Sequence, residues 1–265
     1  MLGERLSAVV LGVIKEAVRA DEVFAELVRR DPDWYGYWDA RLVDLARRRI
    51  WAQALPGISQ VIARGNNASL HWNRLAALQA WSGDRRGLRE SCRKILAMYG
   101  SANGSDRYQV REVVYACLLL PDTVDDLTPV RKLADVGITA SDPNASDHHS
   151  FLVMRALVDY RAGDPGRAVE RLEAISLVAD DRWAYLGRIV LALAQFQIGR
   201  GADARQGLNR VSEALRQSRP RIDRGQQYGT KYWQDWIVPE VLLREAEELI
   251  LDSGFPADPF VHGGH

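Results

Sequence analysis

The sequence predicts an all-α chain: an α-solenoid of about six helix pairs followed by a C-terminal capping helix. Three observations carry that reading. Residues recur at one fixed step: Ala20, Ala54 and Leu88 stand 34 positions apart, and so do Phe24, Ile58 and Cys92, and Leu27, Val61 and Ile95. A period of that size marks a two-helix unit that cannot bury its apolar face alone and must lean on its neighbours. Between the glycine and proline marks run segments of helix length with apolar spacings of three and four, as in Leu75, Leu78 and Trp81, or Val169, Leu172 and Ile175. No stretch sustains the apolar–polar alternation of a half-buried strand, so essentially no sheet is expected.

Taken in order, the first unit pairs residues 2–18 with 21–30, and Asp31-Pro32 closes it. The second pairs 36–48 with 51–64 and ends at Gly65-Asn66-Asn67. The third pairs 70–82 with 85–99 around the tight turn Gly83-Asp84. The fourth, 107–119 with 125–138, is less regular because Pro121 to Asp126 lengthens its inner turn. The fifth pairs 149–162 with 165–178, and the sixth pairs 183–198 with 201–217. A polar loop, 218–230, then leads to a last helix over about 231–252, in which Pro239 kinks the helix or begins its main part. The domain reading is therefore 1–217 for the repeats, 218–252 for the basic loop and capping helix, and 253–265 for a loose tail.

Small residues recur where helices must approach closely: Ala8, Ala76, Ala116, Ala156 and Ala192 on first helices, and Ala20, Ala54, Ala168 and Ala204 early on second helices. A bulky side chain there would cost about 1–3 kcal/mol of strain. Phe24, Ile58, Leu172 and Leu208 fill the next layer.

Composition narrows the function. With 35 basic and 35 acidic residues the formal net charge is zero, which gives no long-range attraction to nucleic acid or anionic lipid. The apolar run Ala8 to Ile14 is too short to span a bilayer and lacks a clear cleavage site, so it reads as helix. The two cysteines, Cys92 and Cys117, sit in helical patterns and read as buried reduced thiols, which favours a cytoplasmic location.

These residues resemble the tetratricopeptide repeat. Trp72, Leu75, Ala76, Gly83, Leu88, Cys92 and Ile95 follow its pattern in the third unit, Ala8, Ala20, Phe24 and Pro32 in the first, and Leu191, Ala192, Gly199, Ala204 and Leu208 in the sixth. The chain also resembles repeat regions of large bacterial signalling proteins, an impression to which the closing WxxW-x(6)-LLREAEELI segment contributes. The resemblance implies a right-handed superhelix with first helices lining a concave groove. Groove positions are then Arg5, Asp39, Asn73, Val113, Val153 and Ile189, followed by Val9, Val43, Ala77, Cys117, Leu157 and Leu193. A third row holds Gly12, Ala46, Ala80, Leu120, Tyr160 and Phe196. The groove is expected to be polar in its N-terminal half and apolar in its C-terminal half. An apolar patch of that kind binds an amphipathic partner helix or is filled by the chain's own last helix. Asn73 alone does not make the Lys and Asn cluster with which family members grip a terminal carboxylate.

Other candidate chemistry is sparse. His148-His149 with Asp142 and Asp147 could hold a metal, but Asp142 to Asp147 reads more simply as a helix-capping loop. His71 reads as a surface histidine, and His262 and His265 fall in the tail. Asp125 and Asp126 read as caps for the second helix of the fourth unit. No HExxH, CxxC, GxSxG, Walker or kinase signature is present. Arg219, Arg221, Arg224 and Lys231, with Tyr228, Tyr232, Trp233 and Trp236 behind them, form a basic, aromatic stretch suited to single-stranded nucleic acid. The sequence thus favours a non-catalytic protein-interaction scaffold, without cofactor or metal, that takes a peptide or amphipathic helix; a homo-oligomer is compatible with it. A nucleic-acid-binding regulator using 219–236 and a helical enzyme with a groove active site are the alternatives.

Overall fold

The computed structural model describes residues 18–31, 35–47, 50–101, 106–145, 147–175, 182–218 and 233–251. They form helices and no strand. The expected first helix therefore lies outside the described residues save for Val18, as do Arg5, Val9, Gly12, residues 219–232 and the tail.

The chain divides into two compact units. The first comprises residues 1–66 with 220–233, and the second residues 67–219 with 234–265. In the first unit α1 covers 18–30, α2 Tyr35–Arg47 and α3 Trp51–Ala63. Helix α3 buries Trp51, Ala54, Ile58 and Val61 along one stripe, and α2 contributes Leu42 and Leu45. The Trp233 ring, fully buried, lies 5.9 Å from that of Trp51. Phe24 of α1 meets Trp38 of α2 edge-on at 5.1 Å.

The second unit holds nine helices among the described residues. They are α4 (Ser69–Ser82), α5 (Arg85–Tyr99), α6 (Arg107–Leu118), α7 (Thr128–Ala140), α8 (His148–Arg161), α9 (Pro165–Glu173), α10 (Arg182–Gln197), α11 (Gly201–Ser218) and α12 (Gln234–Leu251). Each of α4, α8 and α10 ends the same way. Gly83, Gly163 and Gly199 take positive φ, and the amide two residues past the last turn donates back across it: Asp84 to the Gln79 carbonyl, Asp164 to Asp159, Arg200 to Gln195. Glycine fits that left-handed position without a Cβ clash, so it stops the helix and turns the chain. The partner helix then starts on a cap: Asp84 Oδ1 accepts from Gly87 N at 2.9 Å, and Asp164 Oδ1 from Arg167 N at 3.2 Å. Turns of two or three residues of this kind force antiparallel pairs.

The even-numbered helices are the inner ones. Each of α4, α6, α8 and α10 packs on the next, while α5, α7, α9 and α11 bridge between them from outside. Small residues allow the approach, as the sequence predicts: Ala76, Ala116, Ala156 and Ala192 are all buried. Gly137 of α7 serves the same purpose, since a Cβ there would sit 3.2 Å from atoms of Val110 and Met154. Helix α12 does more than cap the last pair. It packs on α10 and α11 and also on α4, so the inner helices of this unit return upon themselves. Pro239 lies inside α12, which begins five residues earlier at Gln234. No helix among the described residues is long and apolar enough to cross a membrane.

Candidate functional site

The expected groove positions that fall in the second unit are interior. Asn73, Ala77 and Ala80 of α4, Val113 and Cys117 of α6 with Leu120 just beyond it, Val153, Leu157 and Tyr160 of α8, and Ile189 and Leu193 of α10 are all buried. Phe196 is half-buried. In the first unit Asp39 and Val43 of α2 are half-buried, and the Ala46 side chain is outside the described set. These positions are thus packed in the core of the second unit and do not line an open groove, and the chain's own last helix packs against α4 and α10. From α12, Ile237, Val241, Leu242, Ala246 and Ile250 supply the apolar filling.

Polar groups fix α12 in register. Arg161, at the end of α8, donates to both carboxylate oxygens of Glu245 at 2.5 and 2.6 Å. The same guanidinium donates to the Leu118 carbonyl at 3.0 Å and the Leu119 carbonyl at 3.3 Å, which satisfies the end of α6. Tyr160 Oη donates to Glu245 Oε1 at 3.4 Å. Burial, and then the Glu245 charge, push the Tyr160 phenol well above its ordinary range. Arg244 lies 3.2 Å over the Trp81 ring and donates to the Trp81 carbonyl at the end of α4. Deeper in, Arg74 Nε donates to Gln234 Oε1 at 3.4 Å, and its Nη1 lies 3.5 Å from His71 Nδ1. His71 is thus buried, which corrects the surface reading; it faces an interior arginine.

A second cluster gathers at the starts of α6, α8 and α10. The Arg111 guanidinium sits 4.6 Å from the Trp183 ring, 5.1 Å from Tyr108 and 5.6 Å from Phe151. Its Nη1 donates to Ser150 Oγ at 3.0 Å. Trp183 stacks on Tyr115 at 5.4 Å, and Tyr115 Oη donates to the Ser150 carbonyl. Beside it, Arg107 lies over Tyr108 and reaches Asp147 at 3.4 Å. Burial works to raise the Asp147 carboxyl, but the Tyr108 hydroxyl and the Arg107 guanidinium outweigh it and hold it below the usual carboxylate value. Asp147 therefore faces Arg107, and its side chain makes no capping bond to α8. The capping-loop expectation fails there; Asp142 instead closes a short turn by accepting from Asn144 N. At α7, Asp126 does accept from the first-turn amide, Thr128 N, at 2.8 Å.

Between α1 and α2 lies a groove of about 410 Å³, walled by Ala20, Val23, Phe24, Leu27, Tyr37 and Ala40. Arg19, Arg41 and Asp44 edge it. Arg41 pairs with Asp21 and with Asp44. In the interior, Cys92 and Cys117 are free and buried, and Cys92 Sγ reaches the Ala116 carbonyl at 3.6 Å. The hydrogen bond with the Cys92 thiol, and then burial, push the Cys117 thiol well above its ordinary value. Such thiols are poor nucleophiles and behave as core residues. His148 Nδ1 lies 2.7 Å from Ser141 Oγ, and among the described residues no cluster of three metal-ligating side chains forms around it. Most of the basic stretch 219–236 lies outside the described residues; within it, Trp233 is fully buried and Trp236 half-buried.

No protein-family model matches the chain, and no curated protein matches it.

Proposed function

We propose that the chain is a non-catalytic interaction module of tetratricopeptide type, an α-solenoid whose helix pairs present surfaces to another protein. The single observation that supports this most is the recurrence of one hairpin device. Gly83-Asp84 in the α4–α5 pair and Gly163-Asp164 in the α8–α9 pair make the same left-handed turn with the same cap, and Gly199 makes that turn in the α10–α11 pair. Stacked pairs of this kind make rigid extended surfaces, and rigidity lowers the ordering cost of binding a partner. The partner is a peptide or an amphipathic helix. In the second unit α12 already takes part of the inner face, so the free partner docks on surfaces that remain exposed.

The test is affinity capture from a native lysate with the folded chain as bait, followed by amide exchange of the isolated complex. A retained protein that slows exchange on exposed helix faces is the expected result. Absence of any stoichiometric partner, together with turnover of small-molecule substrates by the purified chain, overturns the reading.

A further inference from the structure

The Arg111 cluster has a charge that its surroundings do not answer. Arg111 is half-buried, and its guanidinium meets three aromatic rings and one serine hydroxyl. Among the described residues no carboxylate pairs with it. Its neighbour Arg107 does have one, in Asp147. A guanidinium offers five donors, and Ser150 uses one. The rings hold the positive charge in place by their negative faces and pre-orient the fork. The cost of fixing a long side chain is thus met before any ligand arrives.

The rest of the patch suits a protein ligand. Tyr108 is 45% exposed, although aromatic side chains of its size normally bury more. Its ring is flanked by Arg107 at 4.9 Å and Arg111 at 5.1 Å, so it is held rigidly in an exposed position. Trp183 is half-buried beside them and stacked on Tyr115. Arginine, tyrosine and tryptophan held rigidly together are the residue types that dominate interface energetics. The three come from the starts of α6 and α10, with Phe151 and Ser150 of α8 between them, so the stacked helix pairs fix their spacing.

We propose that Tyr108, Arg111 and Trp183 form the docking site for an acidic peptide, whose carboxylate pairs with Arg111 while an adjacent apolar side chain lies against the Tyr108 ring. The proposal rests on the interaction reading above and names the chemistry of its partner. A carboxylate is the match for a planar fork already supported from behind.

The test is fluorescence anisotropy of the full chain with a fluorescein-labelled hexapeptide, Gly-Glu-Leu-Glu-Leu-Gly. Saturable binding is expected, weakened about tenfold or more by Arg111→Gln and several-fold by Tyr108→Ala. Arg111→Lys, which keeps the charge but loses the fork, should fall between wild type and Arg111→Gln. The same peptide with Gln in place of Glu should bind at least tenfold more weakly. Because Arg111 covers Phe151, Arg111→Gln is read only alongside an unchanged circular dichroism melt; Tyr108→Ala changes an exposed ring and serves where that melt shifts. Equal binding of the Glu and Gln peptides overturns the proposal, as does unchanged binding by the folded variants or no binding at millimolar peptide. A lysate partner captured equally by wild type and Arg111→Gln would also overturn this site, while leaving the interaction reading in place.

Discussion

Helix α1 keeps every described side chain at least partly exposed, whereas α8 buries each residue from Val153 to Tyr160. Both helices are mainly apolar along one face, yet only α8 is enclosed. It has α6, α7, α9 and α10 around it and receives Glu245 from α12. Helix α1 shares an open groove with α2, and Val18 and Val23 remain about half exposed. Burial of these two helices follows from the helices packed around each and not from its own pattern. A helix buried nearly all round, such as α8, holds its charged Arg155 and Asp159 in that enclosure as an ion pair at 3.0 Å. The same contrast tells where α12 matters: it is the neighbour that completes the second unit's inner face.

The largest effect is expected on removing the polar latch between α8 and α12. Glu245→Leu leaves Arg161, whose side chain is 6% exposed, as a buried charge without its partner. Urea denaturation should show a loss of about 3–5 kcal/mol, larger than for any charge substitution in α1. Next comes a matched truncation in each unit. Leu157→Ala, at a fully buried site, should cost about 2–5 kcal/mol, while Leu27→Ala, on the half-covered wall of the α1–α2 groove, should cost about 1 kcal/mol or less. Equal costs would mean that α1 is as enclosed as α8.

Alkaline titration sharpens the picture further. The folded Tyr160 phenol has its pKa raised above the unfolded value near 10, so the folded state holds the proton longer. Its contribution to stability is full below pH about 10 and falls as pH rises from there toward the raised folded value, by up to about 1.4 kcal/mol per pH unit. Tyr160→Phe should remove that slope from denaturation curves measured at pH 9 to 11, and persistence of the slope would assign it to other tyrosines. The smallest effect belongs to a cap. Asp84→Ala should lower stability by about 1 kcal/mol in thermal melts, because Gly87 N loses its acceptor at the start of α5.

Much of the fold was legible because its signals are local. Gly83-Asp84, Gly163-Asp164 and Gly199 place helix ends to within a residue or two, since a positive-φ glycine and a capping aspartate act over one turn. The alanines at the helix crossings were legible for the same reason, because one stands in each of the inner helices α4, α6, α8 and α10. What lies far apart in sequence was not. Arg161 and Glu245 meet across 84 residues, and no spacing rule connects a helix end in the fifth pair with the middle of the last helix. His71 looks like a surface residue beside Trp72, but it is buried and faces Arg74, which Gln234 holds from the last helix. Asp147 has the look of a cap, but Arg107 from the preceding inner helix claims it. The Arg111 cluster draws on three helices, and only Arg111 and Tyr108 stand close enough in sequence to suggest a pairing.

Helix α12 belongs to the core of the second unit and is not an appended cap. Native-state amide exchange read residue by residue tests it most directly. The amides of Leu242, Leu243 and Ala246 should exchange as slowly as those of Leu157 and Val158 in α8, and far more slowly than those of Val23 and Leu27 in α1. Exchange of α12 at the rate of α1, with α8 still protected, would contradict it.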